Sequence, residues 1–324
     1  MIGNKKVQEI IYRQIDKGFL PHANLFTGPD HLGKFLLAKE LGNYIVCRNR
    51  KGNGQVCNKC IGCQINEKSN LSQVIIVSPN EDTNLISINE IRSIIKEQKL
   101  TKPFSLPSVI IINDADKLSE SAANSMLKIL EEPPNKTYFF IITSKLNHIP
   151  KTIASRCQLM YFKKVKKSEI VDYLKNNTNY STSEISELAR YSLGLPGKVI
   201  EWKNNHDMFI AYKNYLKSVF RLLAVNDFNT SVKIAEDLTN NFNDKDSIVD
   251  LMQSIQLIVR DKILIDYNNK ELSNFTNLYP KNFRLTGVND FILAVNKSFK
   301  LLKDIKMNVN QKLAFENYLI QTSK

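Results

Sequence analysis

The nine residues Thr27-Gly28-Pro29-Asp30-His31-Leu32-Gly33-Lys34-Phe35 constrain this chain more than any other stretch. They fit a phosphate-binding loop, G-x-x-x-x-G-K-[ST], at every position but the last. In such a loop the glycines let backbone N–H groups wrap a phosphate, the following helix offers its positive N-terminus, and the lysine neutralises charge. Gly28, Gly33 and Lys34 fill those roles, whereas Phe35 has no hydroxyl with which to hold Mg²⁺. Asn24-Leu25-Phe26 precedes the loop as a strand would, and Phe35, Leu36, Leu37, Leu41 and Ile45 continue it at helical spacing. The alternative is an ordinary glycine turn between a strand and a helix.

Four more apolar runs read as strands: Val74–Val77, Val109–Ile112, Tyr138–Ile142 ending at Thr143, and Gln158–Phe162. Helical patterns separate them. A helix carrying Val7, Ile10, Ile11 and Ile15 leads into the loop, Ser87-x-x-Glu90 forms a capping box, and a helix capped near Ser119 is stopped by Pro133-Pro134. Strands apolar on both faces and alternating with helices imply a parallel sheet covered on both sides. Where the third strand ends, Asn113 stands in place of the aspartate that anchors a magnesium shell. Asp114 takes the place of the glutamate that orients an attacking water, one methylene short. Phe35, Asn113 and Asp114 together argue against metal-assisted hydrolysis.

Four of the five cysteines fall within seventeen residues, at 47, 57, 60 and 63. Cys57-x-x-Cys60-x-x-Cys63 with a fourth thiol nearby suits a tetrahedral thiolate site, and zinc is the metal expected in a reducing cytosol. No histidine or carboxylate accompanies the sulfurs as an obvious base, so the site reads as structural. An iron–sulfur cluster and four unrelated thiols are the competing readings. Cys157 reads as a packing residue. The chain has no run of about 18 apolar residues and no basic-then-apolar leader, so a soluble cytoplasmic protein without membrane partners is expected. A net charge of +13 suits an acidic partner such as nucleic acid, although the lysines are dispersed along the chain.

The degenerate loop, the cysteine insertion, Asn124-Ser125-Met126-Leu127-Lys128-Ile129-Leu130-Glu131-Glu132-Pro133-Pro134 and Ser155-Arg156-Cys157, in this order, resemble the bacterial clamp-loader family of AAA+ proteins. The resemblance covers residues 1 to about 200. It implies an α/β fold: an AAA+ P-loop domain over 1–163 with a parallel five-stranded sheet and a zinc module at 47–63, a small helical lid over 164–205, and an all-helical collar over 206–324. It makes Gly28, Gly33, Lys34, Asn113, Asp114 and Thr143 a vestigial nucleotide site that binds ATP weakly or not at all, with Thr143 at the sensor-1 position. Arg156 becomes an arginine finger offered in trans to a neighbour's ATP; pairing with a local carboxylate or a DNA phosphate is the alternative. The implied partners are motor subunits of the gamma/tau type and a delta subunit, with the sliding clamp engaged indirectly and primed DNA a further contact.

In residues 164–205, Ser168 reads as a helix cap, Ser183–Tyr191 as a second helix, and Gly194-Leu195-Pro196-Gly197 as a turn into a third. Helical spacing then covers Met208–Leu223, Ser231–Leu238, Ile248–Tyr267 and Phe291–Ile305, with a last helix opening near Asn308. The function implied is that of an ATPase-silent ring subunit with no catalysis of its own. An active motor subunit and a zinc-containing DNA-binding protein without ring partners are the alternatives.

Overall fold

The computed structural model describes residues 1–67, 73–99, 106–224, 227–239, 245–268, 273–275, 279, 288–307 and 309–322. They divide into two compact units, Met1–Val199 and Ile200–Lys324.

The first unit is built on five parallel strands, β1 (Ala23–Thr27), β2 (Val74–Val77), β3 (Ser108–Ile112), β4 (Thr137–Thr143) and β5 (Gln158–Tyr161), in the order β2-β3-β4-β1-β5. β1 lies between β4 and β5, with Thr27 level with Thr143 and Tyr161. Each strand side chain alternates in direction, so the continuous apolar runs divide between two cores. Phe26, Val109, Ile111, Phe140 and Ile142 pack on one face with α1 (Lys5–Asp16) and α2 (Lys34–Val46). Leu25, Ile110, Ile112, Phe139 and Ile141 face the other way. There they pack with Ile91 of α4 (Ile88–Lys99), Met126 and Leu130 of α5 (Glu120–Glu131), and Ile153 of α6 (Lys151–Ala154).

The helix ends follow local chemistry. Ser87 and Glu90 bond reciprocally before α4, and Ser119 accepts from the Ala122 N–H at the start of α5. Ser155 is the C-cap of α6, so Arg156 lies just beyond the helix and not on it. Ser168 does not cap α7 (Lys167–Asn177); Lys166 occupies that position without a side-chain bond. The capping box of α8 (Thr182–Tyr191) is formed by Ser181 and Glu184, two residues before the predicted start. Phe35 and Leu36 in the first turn of α2 are 37% and 45% exposed, leaving Leu37, Leu41 and Ile45 to bury that helix.

The loop after α2 carries a short helix, α3 (Ile61–Glu67). It docks closely: a Cβ on Gly62 would sit 2.2 Å from the Val46 carbonyl oxygen, so the packing requires glycine. α9 (Pro196–Asn204) spans the boundary between the two units.

The second unit contains α10 (His206–Ala224), α11 (Phe228–Leu238), α12 (Lys245–Asp266), α13 (Val288–Lys306) and α14 (Gln311–Thr322). Leu216, Phe220, Met252, Ile255, Leu301 and Phe315 are among its buried apolar residues. Asp261 on α12 is buried as well. It accepts from Ser273 Oγ at 2.6 Å, Asn274 N at 2.6 Å and Phe275 N at 2.9 Å, and so pins the segment beyond the helix back onto it. Among the described residues, no helix is long and apolar enough to cross a membrane.

Candidate functional site

β1 delivers the chain to Gly28 at the C-terminal edge of the sheet, where open parallel sheets bind ligands. Gly28 has φ 144°, and a Cβ there would lie 2.4 Å from the Phe162 carbonyl oxygen, so no larger residue fits. α2 begins at Lys34, immediately after Gly33. Lys34 is only 6% exposed, and its Nζ donates to the carbonyl oxygens of Gly28 at 2.6 Å and Pro29 at 2.7 Å. The Asp30 carboxylate is 3.8 Å away. The lysine thus lies on its own loop. Burial lowers its pKa, while Asp30, Asp114 and Asp116 pull it up.

Those acids come from the turn after β3. Asn113 Nδ2 donates to Asp114 Oδ2 at 3.1 Å, and burial raises the Asp114 carboxyl above its ordinary range. Thr143, at the end of β4, is fully buried; its Oγ1 donates to Asp116 Oδ1 at 2.7 Å and accepts from Lys145 N at 2.9 Å. The structure therefore brings Lys34, Asp114, Asp116 and Thr143 together at one sheet edge. Asp116 was not among the predicted residues, although it stands in the acidic run Asn113-Asp114-Ala115-Asp116. Gly197 N donates to the His31 carbonyl oxygen at 2.7 Å, tying the start of α9 to the loop.

Arg156 lies elsewhere, on the turn between α6 and β5. Its Nη2 is 2.5 Å from Glu131 Oε1 and its Nη1 donates to the Thr152 carbonyl oxygen at 2.9 Å. Both side chains are partly exposed, at 36% for the arginine and 50% for the glutamate. The alternative expected for Arg156, pairing with a carboxylate, is thus present, with Glu131 as the partner, 25 positions away and not identified from the sequence. Cys157 packs against the core beneath this turn, and burial pushes its thiol up to about 12.

Cys47, Cys57, Cys60 and Cys63 converge, with all four sulfurs within 4.8 Å of one another. Sulfur separations of 3.6 Å for Cys47–Cys57 and Cys60–Cys63, 3.9 Å for Cys57–Cys63 and 4.0 Å for Cys47–Cys60 bracket a tetrahedral edge. Four thiolates at the zinc–sulfur bond length would lie about 3.8 Å apart. The donor set and spacing fit a tetrahedral ion. Backbone N–H groups of Arg48, Cys57 and Cys60 donate to cysteine sulfurs at 3.3–3.4 Å, as suits sulfurs that carry charge. Burial raises the Cys47 thiol and takes Cys63 up to about 12. Burial acts on Cys60 too, but backbone N–H groups of Cys63 and Arg48 outweigh it and bring that thiol down to about 6. Cys57 is lowered chiefly by the Lys59 backbone N–H.

The family model for DNA polymerase III, delta subunit, matches residues 3–166, which is just over half of the chain. The chain belongs to this family. The DNA polymerase III subunit delta' of Bacillus subtilis is 33% identical over 169 residues, 52% of this chain and 50% of that protein. The subunit delta' of Escherichia coli K12 is 27% identical over 179 residues, 55% of this chain and 53% of that one. The gamma/tau subunit of Mycoplasma pneumoniae is 32% identical over 200 residues, 60% of this chain and 28% of its own length. The matched stretch thus spans about half or less of these curated relatives. For this member of the DNA polymerase III delta family, the parallel five-stranded α/β sheet expected from the motifs is present, with the cysteine cluster beside it.

Proposed function

We propose that this chain is an ATPase-silent, delta-prime-type subunit of the DNA polymerase III clamp loader. It completes a ring and donates Arg156 in trans to ATP held by a gamma/tau motor subunit, while that ring places the sliding clamp on primed DNA. The observation that carries the reading is the loop itself. Phe35 and Asn113 stand where oxygen and charge are needed for magnesium. In contrast, Arg156 is partly exposed on a turn anchored by Ile153 and Cys157.

On this reading Gly28, Gly33, Lys34, Asn113, Asp114 and Thr143 are retained as scaffold, and nucleotide binds weakly or not at all. Residues 164–205 act as a lid, and 206–324 as a collar that joins the ring. The thiolate cluster holds structural zinc, whose binding stabilises an insertion with little apolar core by about 10 kcal/mol. A second reading, an active motor subunit, is favoured by the likeness to gamma/tau proteins.

ATP turnover separates the two. The purified chain alone is expected to hydrolyse no ATP, and a motor-like rate would establish the second reading. In a complex reconstituted with a motor subunit and a clamp-opening subunit, Arg156→Ala should preserve assembly and slow turnover at the site it faces. A finger of this kind contributes roughly 10³–10⁵ in rate. Unchanged turnover would remove the trans role.

A further inference from the structure

We propose that Glu131 is the positioning residue for Arg156, holding its guanidinium in the orientation in which a neighbour's triphosphate meets it. This rests on the trans role of Arg156 proposed above. Glu131 is the last residue of α5, followed by Glu132 and the two prolines that stop the helix. A carboxylate in the last turn is set against the helix dipole, so a cation beside it relieves an unfavourable placement. That cation is Arg156, with Nη2 at 2.5 Å.

The pair is braced from both sides. Ile129 and Leu130, directly before Glu131, lie in the same buried cluster as Ile153, and Cys157 packs against that cluster. Packing therefore fixes the two backbone positions from which carboxylate and guanidinium extend, while both side chains stay partly exposed. A second bond from Nη1 to the Thr152 carbonyl at 2.9 Å fixes the plane of the group. These two contacts use two of the five guanidinium N–H donors. The others remain to meet a phosphate in forked geometry.

Without Glu131 the arginine keeps its charge but loses its orientation. An interaction that acts on charge developing in the transition state would then weaken with little effect on substrate affinity, so kcat falls and KM for ATP stays. The test is steady-state ATP turnover of the full complex of this chain, a motor subunit and a clamp-opening subunit, on clamp and primed DNA. Glu131→Ala should reproduce about half or more of the Arg156→Ala deficit on a logarithmic scale. Glu131→Gln, which keeps an acceptor oxygen, should recover part of it. Added to Arg156→Ala, the Glu131→Ala change should cost nothing further.

Full kcat in Glu131→Ala overturns the proposal. So does an additional loss in the Arg156→Ala background, because Glu131 would then act through another group, and so does a raised kcat, which would make the pair a restraint. Matching unfolding midpoints and complex yields show that the variants fold; should Glu131→Ala fail there, Glu131→Gln carries the same comparison. If Arg156→Ala itself leaves turnover unchanged, the trans role fails. If Arg156→Ala is slow and both Glu131 variants run at the parental rate, only the positioning role fails.

Discussion

Asp261 shows how much one side chain contributes that periodicity conceals. It occupies a buried position on α12 that helical spacing alone assigns to an apolar residue, yet it accepts from a hydroxyl and two backbone N–H groups of the following segment. Asp261→Ala would leave the buried Ser273 hydroxyl and Phe275 N–H, and the partly buried Asn274 N–H, unanswered, at about 1–3 kcal/mol for each buried group. A loss of about 3 kcal/mol or more in urea unfolding is expected. A loss within experimental error would mean that water replaces the carboxylate at little cost. At this scale the sequence was legible where a residue type is demanded by local geometry, as at Gly28. It was silent where the demand comes from a distant partner. The pairs Asp116 with Thr143 and Arg156 with Glu131 join positions far apart in sequence, and no spacing rule reaches across such distances.

Among the elements, strands were the most readable. β2 has its predicted ends, and β1, β3, β4 and β5 differ by a residue or so, because buried parallel strands are written as uninterrupted apolar runs. Helix starts were less readable: near the start of α8 several hydroxyl residues stand together and only one accepts the first orphan N–H. Ser181, not Ser183, caps α8 for that reason, whereas α7 starts from Lys166 with no side-chain cap at all and Ser168 falls inside its first turn. The short helix α3 inside the cysteine insertion was missed, because Ile61–Glu67 is too short to show a period.

The insertion also carries its own prediction. Elemental analysis of protein purified without chelator should find one zinc per chain, and Cys60→Ser should abolish it. Loss of the ion should make residues 48–66 susceptible to protease. Because each sulfur binds as thiolate, protons compete with the metal, most strongly at Cys47 and Cys63, whose thiols burial pushes up. Zinc release to a chromogenic chelator should therefore rise as pH is lowered from about 8 to about 5. Release that does not depend on pH would argue against four thiolate ligands.

For the molecule as a whole, the loss of strand pattern along the sequence separates a strand-bearing part from a helical part, and the structure likewise forms two compact units. The units meet at Val199 and Ile200, within α9, so α7 and α8 belong to the same compact unit as the sheet. The backbone bond from Gly197 N to the His31 carbonyl oxygen is one physical reason, since it joins that helical segment to the loop.

The pairing of Phe35 beside Lys34 with Asn113 at the end of β3 has a consequence for how the proposed silent state persists. Phe35→Thr would add a hydroxyl to the loop, but Asn113 would still lack the charge that anchors a magnesium shell. That variant is expected to show no gain in ATP turnover, measured on the isolated chain; a measurable gain would mean that the hydroxyl alone was wanting. On the proposed reading, restoring hydrolysis would take at least two coordinated changes, at Phe35 and at Asn113, and no single substitution in the loop would supply it.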